Sequence, residues 1–252
     1  MVQGITEFLP ISSSGHLVFF QSLFGLKEPQ IFFDVMLHLG TLTAVVVYFR
    51  HDIWEIIRGI GYSLKEKEIH QSSRIFLWIL LASLPTGLMG ILLKGWFESL
   101  FSKPTIVGGM IFTTGLFLWL TRLIKKKGRT IEKMTWMDSF LIGIAQGVAI
   151  IPGISRSGAT ISAGLFCGLE RELSGKFSFL LSIPAILGAT VLEFRKIESH
   201  GEVGVSLLGM GVAFGVGLLA LRFLMKIIKI GKISKFAYYC WAVGSLIIFL
   251  TN

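Results

Sequence analysis

Charge is what this chain has least of. Only 15% of its 252 residues are Asp, Glu, Lys or Arg, against about 25% in a soluble domain. That deficit excludes an ordinary soluble protein. Apolar residues make up 53% and the mean hydropathy is +0.73, so the sequence reads as an all-α polytopic membrane protein with one integral domain over residues 1–252. Cysteine is scarce too: Cys167 and Cys240 sit in apolar stretches with no Cys or His at ligand spacing, and they read as buried thiols. Residues 1–15 lack a basic segment and an unbroken apolar core, so they do not read as a cleavable secretory signal. Acidic residues number 15 against 24 Lys and Arg, a net charge of +9. In a chain rich in membrane spans such an excess anchors cytoplasmic loops and does not signal nucleic acid.

Apolar runs near bilayer length predict spans at 31–49, 75–93, 104–124, 137–151, 177–194, 203–224 and 236–250. The basic residues gather in three connections, 50–74, 122–133 and 222–235, which are therefore expected on the cytoplasmic side. The connections at 94–103 and 195–202 hold two basic residues each and are expected outside. Two further apolar stretches, 1–25 and 152–170, are interrupted by Pro, Gly and Ser. Irregular backbone at membrane depth survives only where protein or a water-filled cavity satisfies it, so these two stretches mark the candidate site.

The two broken stretches repeat one another. Residues 3–17 read QGITEFLPISSSGHL and residues 146–160 read QGVAIIPGISRSGAT. Gln3, Gly4, Ile11, Ser12, Ser14 and Gly15 recur without a gap as Gln146, Gly147, Ile154, Ser155, Ser157 and Gly158. Repeat halves are expected at about 1–124 and 137–252. On the charge map, 31–49 runs inward and 177–194 outward, which predicts an inverted-topology repeat with two broken or re-entrant helical hairpins meeting near the midplane. The run MTWMDSFLIG at 134–143 has no counterpart ahead of residue 1; the repeat leads one to expect a longer first helix.

The first motif offers Glu7, Ser12, Ser13, Ser14 and His16: a carboxylate, hydroxyls and an imidazole suited to base, nucleophile and proton donor. The second offers Gly153, Ser155, Arg156, Ser157 and Thr160. A guanidinium among hydroxyls and glycine-freed amides suits phosphate oxygens, and together the motifs suit phosphoryl transfer. Ser and Gly also permit close helix packing, and Arg156 alone reads equally as a surface anchor. Those alternatives explain Glu7, His16 and Arg156 poorly, because ionisable groups beside broken intramembrane helices are costly and usually functional. Asp34 and His38 share a helical face in an apolar span and read as a hydrogen-bonded pair supporting the site or as direct participants. Glu193, before Arg195 and Lys196, reads as an interfacial charge, and the Lys125 to Arg129 cluster as a topology anchor.

QGITEFLPISSSGHL with PGISRSGATIS resembles the undecaprenyl-diphosphate phosphatases of bacteria, the bacitracin-resistance family. The resemblance extends over the chain, including FFDVMLHLGTLTAVVVYFR and FSFLLSIPAILGAT. It implies hydrolysis of a polyprenyl diphosphate lipid, undecaprenyl diphosphate, to its monophosphate, recycling the carrier for cell-wall polymers in the bacterial inner membrane, with the active site opening outward. It places the acidic motif on Gln3 and Glu7, the motif serine and histidine on Ser13 and His16, and phosphate binding on Pro152, Gly153, Ser155, Arg156, Ser157 and Thr160. Ser13 is the preferred nucleophile; Ser12 is the repeat-matched serine, and His16 is the alternative. Gln3 leaves a single carboxylate, which weakens a metal site needing two acids; a divalent cation, Mg²⁺ or Ca²⁺, is implied by the resemblance, with Glu7 as its possible ligand. A homodimer is a family expectation, although the glycines at 204–217 could equally pack within one subunit. The rival from another class is a polyprenyl-phosphate transporter or flippase, which needs no nucleophile beside a phosphate clamp.

Overall fold

The computed structural model describes residues 1–23, 31–66, 71–124, 128–194 and 203–251. A five-residue helix α1 (Val2–Thr6) turns into α2 (Ser13–Leu23), and α3 (Ile31–Tyr48) follows. At Phe49 the chain bends by 72° into α4 (Arg50–Glu66). Next come α5 (Gln71–Leu92), the short α6 (Lys94–Phe101) and α7 (Pro104–Leu120). The second half holds α8 (Trp136–Val148), α9 (Arg156–Phe166), α10 (Arg171–Phe194), α11 (Val203–Lys229) and α12 (Phe236–Thr251). Among the described residues there is no strand, only an isolated bridge between Arg129 and Leu169. The chain is an all-α, multi-pass membrane protein: among the described residues five helices are long and apolar enough to cross a bilayer, six if α3 and α4 count as one bent span.

Two expectations need correction. Residues 50–66 are not loop but the amphipathic helix α4. Ile53 and Ile56 pack on the core, Trp54 and Ile57 stay exposed, and Arg58 lies 5.0 Å over the Trp54 ring. A search for membrane-length apolar runs passes over such a helix, because its polar face breaks every run. The span expected at 137–151 is also not a crossing. Helix α8 has 13 residues and reaches about 20 Å, short of the roughly 30 Å hydrocarbon core.

Helices α8 and α9 instead form a hairpin whose two ends are fastened together. Arg129 N donates to the Gly168 carbonyl (2.8 Å) and Glu170 N donates back to the Arg129 carbonyl (3.0 Å). The Arg129 guanidinium donates to Asp138 and to the Lys133 carbonyl, each at 2.7 Å, and to the Cys167 carbonyl. Asp138 in turn closes a capping box with Thr135 at the start of α8. The segment therefore starts and ends at one place, and neither arm, of 13 and 11 residues, is long enough to span the hydrocarbon core. Arg129, expected to be a topology anchor, is the clasp of that hairpin, and the hydrogen bond it donates to Asp138 raises its pKa further above the ordinary value.

The described parts of the three basic connections lie at one end of the bundle. Residues from 121–128, 165–171 and 228–233 line one small crevice. Arg74 donates to the Glu132 carbonyl, Lys176 pairs with Asp52, and Lys229 pairs with Glu172 at 2.7 Å. Lys67 and Lys125–Lys127 lie outside the described residues, as do residues 195–202 with Arg195 and Lys196. Of the repeat-matched glycines, Gly4 is pressed against Ala213 and Gly217 of α11, and Gly147 against the Met89 side chain of α5. Where α7 crosses α12, Gly108 and Gly244 each face the other's carbonyl. Of the glycines in α11, Gly209 packs on Phe33 and Gly217 on Phe8 within this chain, whereas Gly211 and Gly215 face open space. Cys240 is buried as expected, but Cys167 is only half-buried.

Arg129→Met leaves the Asp138 carboxylate, 8% exposed, without its cation, and should lower stability by about 1–3 kcal/mol. Lys229→Met removes a pair more than half exposed on both sides and should cost under about 1 kcal/mol. Thermal unfolding of both variants in detergent checks the contrast.

Candidate active site

Two short helices present the site, and they begin alike. In each, a serine stands immediately before the first turn and its Oγ accepts the amide three residues on: Gly15 N to Ser12 Oγ and Gly158 N to Ser155 Oγ, both 3.2 Å. Ser12 Oγ also meets Ser14 Oγ at 3.3 Å, and Ser155 Oγ meets Ser157 Oγ at 3.2 Å. Serine is a preferred residue at this position because its oxygen satisfies an amide that the helix leaves free. The two loops touch: Ser14 Oγ accepts from Gly153 N at 3.5 Å. A built Cβ on Gly158 would lie 3.3 Å from Pro10.

The backbones reach these caps differently. Gly153 takes φ +97, and a Cβ there would stand 2.3 Å from the Val107 carbonyl. In the first loop the left-handed residue is Ser12, φ 69, the one non-glycine so placed among the described residues. A side chain in that region costs about 1–2 kcal/mol.

Glu7, buried at the end of α1, is the hub. Its Oε1 pairs with Arg156 Nη2. Its Oε2 accepts from Ser13 Oγ at 2.7 Å and from Gln3 Nε2 at 2.9 Å. Gln3 Nε2 also lies 3.2 Å from His38 Nδ1, which is 3.9 Å from Glu7 Oε2. The structure thus brings Gln3, Glu7, Ser13 and Arg156 into one cluster, with Ser12, Ser14, Gly153, Ser155 and Ser157 beside it. Ser13 and Arg156 are the first residues of α2 and α9 and occupy equivalent positions in the repeat.

Other expected residues stand apart. Thr160 is 1% exposed; its hydroxyl donates to the Arg156 carbonyl at 2.8 Å and meets Ser178 Oγ of α10, which makes it a support for α9. His16 makes its polar contacts with Ser12 O at 2.7 Å and Tyr239 Oη at 2.8 Å, not with Glu7. Asp34 makes no hydrogen bond to His38 among the described residues; His38 turns instead to Gln3 and Glu7. Sequence reasoning missed Thr114 and Tyr239. Thr114 Oγ1 accepts from Ser155 N at 3.0 Å and lies 3.1 Å from the Gly153 carbonyl. Nothing marks either residue within its apolar run.

The described side chains form no dedicated cage for the implied divalent ion. Among the described residues no three His, Cys, Asp or Glu groups converge. Both oxygens of Glu7 are engaged, and Gln3 Oε1 is the buried site oxygen left without a partner. Mg²⁺ or Ca²⁺ needs six or more oxygen ligands.

The family model described as bacitracin resistance protein BacA matches residues 1–246. An undecaprenyl-diphosphatase of Desulforapulum autotrophicum is 46% identical, the match covering 97% of this chain and 93% of that protein. Undecaprenyl-diphosphatases of Carboxydothermus hydrogenoformans and Halothermothrix orenii are 43% and 42% identical, over 99% and 100% of this chain and 94% and 95% of theirs.

Thr114→Val keeps the volume but strands the buried Ser155 amide and Gly153 carbonyl. Stability should fall by about 1–3 kcal/mol, measured by thermal unfolding, and phosphate release should fall with it as the Arg156 loop loosens.

Proposed function

This chain belongs to the bacitracin resistance protein BacA family, and on that premise we propose the reaction its site performs: hydrolysis of undecaprenyl diphosphate to undecaprenyl phosphate and inorganic phosphate. The protein is an undecaprenyl-diphosphatase, a membrane phosphatase acting on a phosphoric anhydride of a lipid. The observation that carries the mechanism is the Glu7 carboxylate, which holds Ser13 on one oxygen and Arg156 on the other.

Ser13 Oγ attacks the terminal phosphorus while its proton passes to Glu7 Oε2, 2.7 Å away. The bond from that phosphorus to the bridging oxygen breaks, and the lipid monophosphate leaves. Glu7 gives that proton to the departing monophosphate; as a carboxylate again, it takes a proton from the water that attacks the phosphoserine, and returns it to Ser13 Oγ as inorganic phosphate is freed. Phosphoryl transfer gains most from positioning and charge neutralisation. Arg156 and the amides that open α9 supply both, since a helix N-terminus favours anions. His16 is a poorer nucleophile candidate, because both its ring nitrogens are already engaged. Any Mg²⁺ or Ca²⁺ arrives as counter-ion of the diphosphate, since one carboxylate countered by Arg156 makes no cage for it.

We place the protein in the bacterial inner membrane with the pocket opening outward. The hairpin geometry bears on depth alone: α9 has 11 residues, so its first residue lies about 16 Å from the basic end. That end is tied by the Lys176–Asp52, Lys229–Glu172 and Arg129–Asp138 pairs.

Phosphate release from the C55 diphosphate by purified variants tests the assignment. Ser13→Ala and Glu7→Gln should each lose about 10²–10⁴-fold, and Arg156→Ala about 10²–10³-fold. Thr160→Ala should lose less than Arg156→Ala, as its hydroxyl faces α10. Near-normal hydrolysis by Arg156→Ala would sink the clamp role.

A further inference from the structure

Helix α12 lies more than 220 residues from the first motif in sequence, yet two adjacent side chains on it reach that motif. Cys240 Sγ donates to the Pro10 carbonyl at 3.5 Å. Tyr239 Oη lies 2.8 Å from His16 Nε2, with the two rings stacked at a centroid distance of 5.8 Å and 10° between planes. The other ring nitrogen, Nδ1, is 2.7 Å from the Ser12 carbonyl. A carbonyl oxygen only accepts, so Nδ1 carries the proton. In the neutral ring Nε2 is then an acceptor, and the Tyr239 hydroxyl donates to it.

The residue at the end of this chain is the strained one. Ser12 holds φ 69, and its carbonyl receives both the backbone amide of His16, at 3.2 Å, and the His16 ring. Ser13 follows directly. The orientation of the Ser12 peptide therefore sets where the Ser13 hydroxyl points.

We propose that Tyr239 is a positioning residue for hydrolysis: it fixes the tautomer and plane of His16, which holds the Ser12 carbonyl and so aims Ser13. The proposal rests on the reading of Ser13 as nucleophile. It gives His16 a role without contact to the reacting phosphate, and it makes α12 part of the machinery.

A double-mutant cycle on the full-length protein in detergent, with undecaprenyl diphosphate as substrate, tests it. Tyr239→Phe keeps the stacked ring and removes only the donor, so the fold should survive, with a thermal midpoint near that of the parent. Its kcat should fall about tenfold, the kinetic equivalent of one hydrogen bond, with KM unchanged. Adding Tyr239→Phe to His16→Ala should cause no further loss, because the tyrosine acts through the imidazole. An unchanged kcat in Tyr239→Phe overturns the proposal, and so does a double variant whose loss is the product of the two single losses. Ser13→Ala, assayed alongside, separates the two readings: full activity there overturns the nucleophile assignment, whatever Tyr239→Phe does.

Discussion

A carboxylate in a low-dielectric interior must be matched, and the fold is arranged around matching one. Glu7 has a side chain only 6% exposed, and its counter-charge comes from the opposite half of the chain. Breaking a buried pair by removing one partner costs about 3–5 kcal/mol, because the remaining charge is left uncompensated. The Glu7–Arg156 contact therefore fastens the two motif loops together as well as serving chemistry. Ser14 on the Gly153 amide and Pro10 beside Gly158 are the weaker contacts that the ion pair brings into register.

Around that pair, each half supplies a rigid mount. Arg129 clasps the ends of the second hairpin, so the loop carrying Arg156 is held at a fixed depth. Thr114 on α7 stitches the same loop from the side. The first loop is braced by Gly4 against α11 and by His16 against α12. Few of these contacts involve water-exposed groups, which suits a site that must keep its geometry while a lipid enters from the bilayer.

Much of this was legible in the sequence, for physical reasons. Apolar runs of bilayer length cannot hide, so α3, α5, α7 and α12 are expected to within four residues at each end, while α10 starts six residues earlier and α11 ends five later than expected, where charged residues end the apolar run. Ionisable residues in such a chain are few, and Glu7 and Arg156 stand out by that scarcity beside the repeated motif, whereas Ser13 rests on the family resemblance. What escaped notice was of two kinds. Helix α4 and the shortness of α8 depend on how a polar face or a turn divides an apolar run, which run length does not measure. Thr114, Tyr239 and the clasp at Arg129 act through contacts distant in sequence: a Thr or Tyr in a span, here each beside a residue of its own kind, is usually packing, and an Arg in a basic loop is usually an anchor. The partner of His38 was misread for the same reason, since helical spacing pointed to Asp34 whereas the fold turned the ring towards Gln3 and Glu7.

Ser13 and Arg156 stand at the same position of two similar helix starts, and the proposed reaction gives them different tasks. Two identical subunits meeting across a symmetry axis would have to place the same residue at both positions, giving two hydroxyls without a clamp or two cations without a nucleophile. Joining the copies in one polypeptide removes that constraint, because each copy can then change alone. The site between two look-alike helix starts thus draws on a linked, asymmetric chain, in which Ser13 and Arg156 hold equivalent positions without being alike.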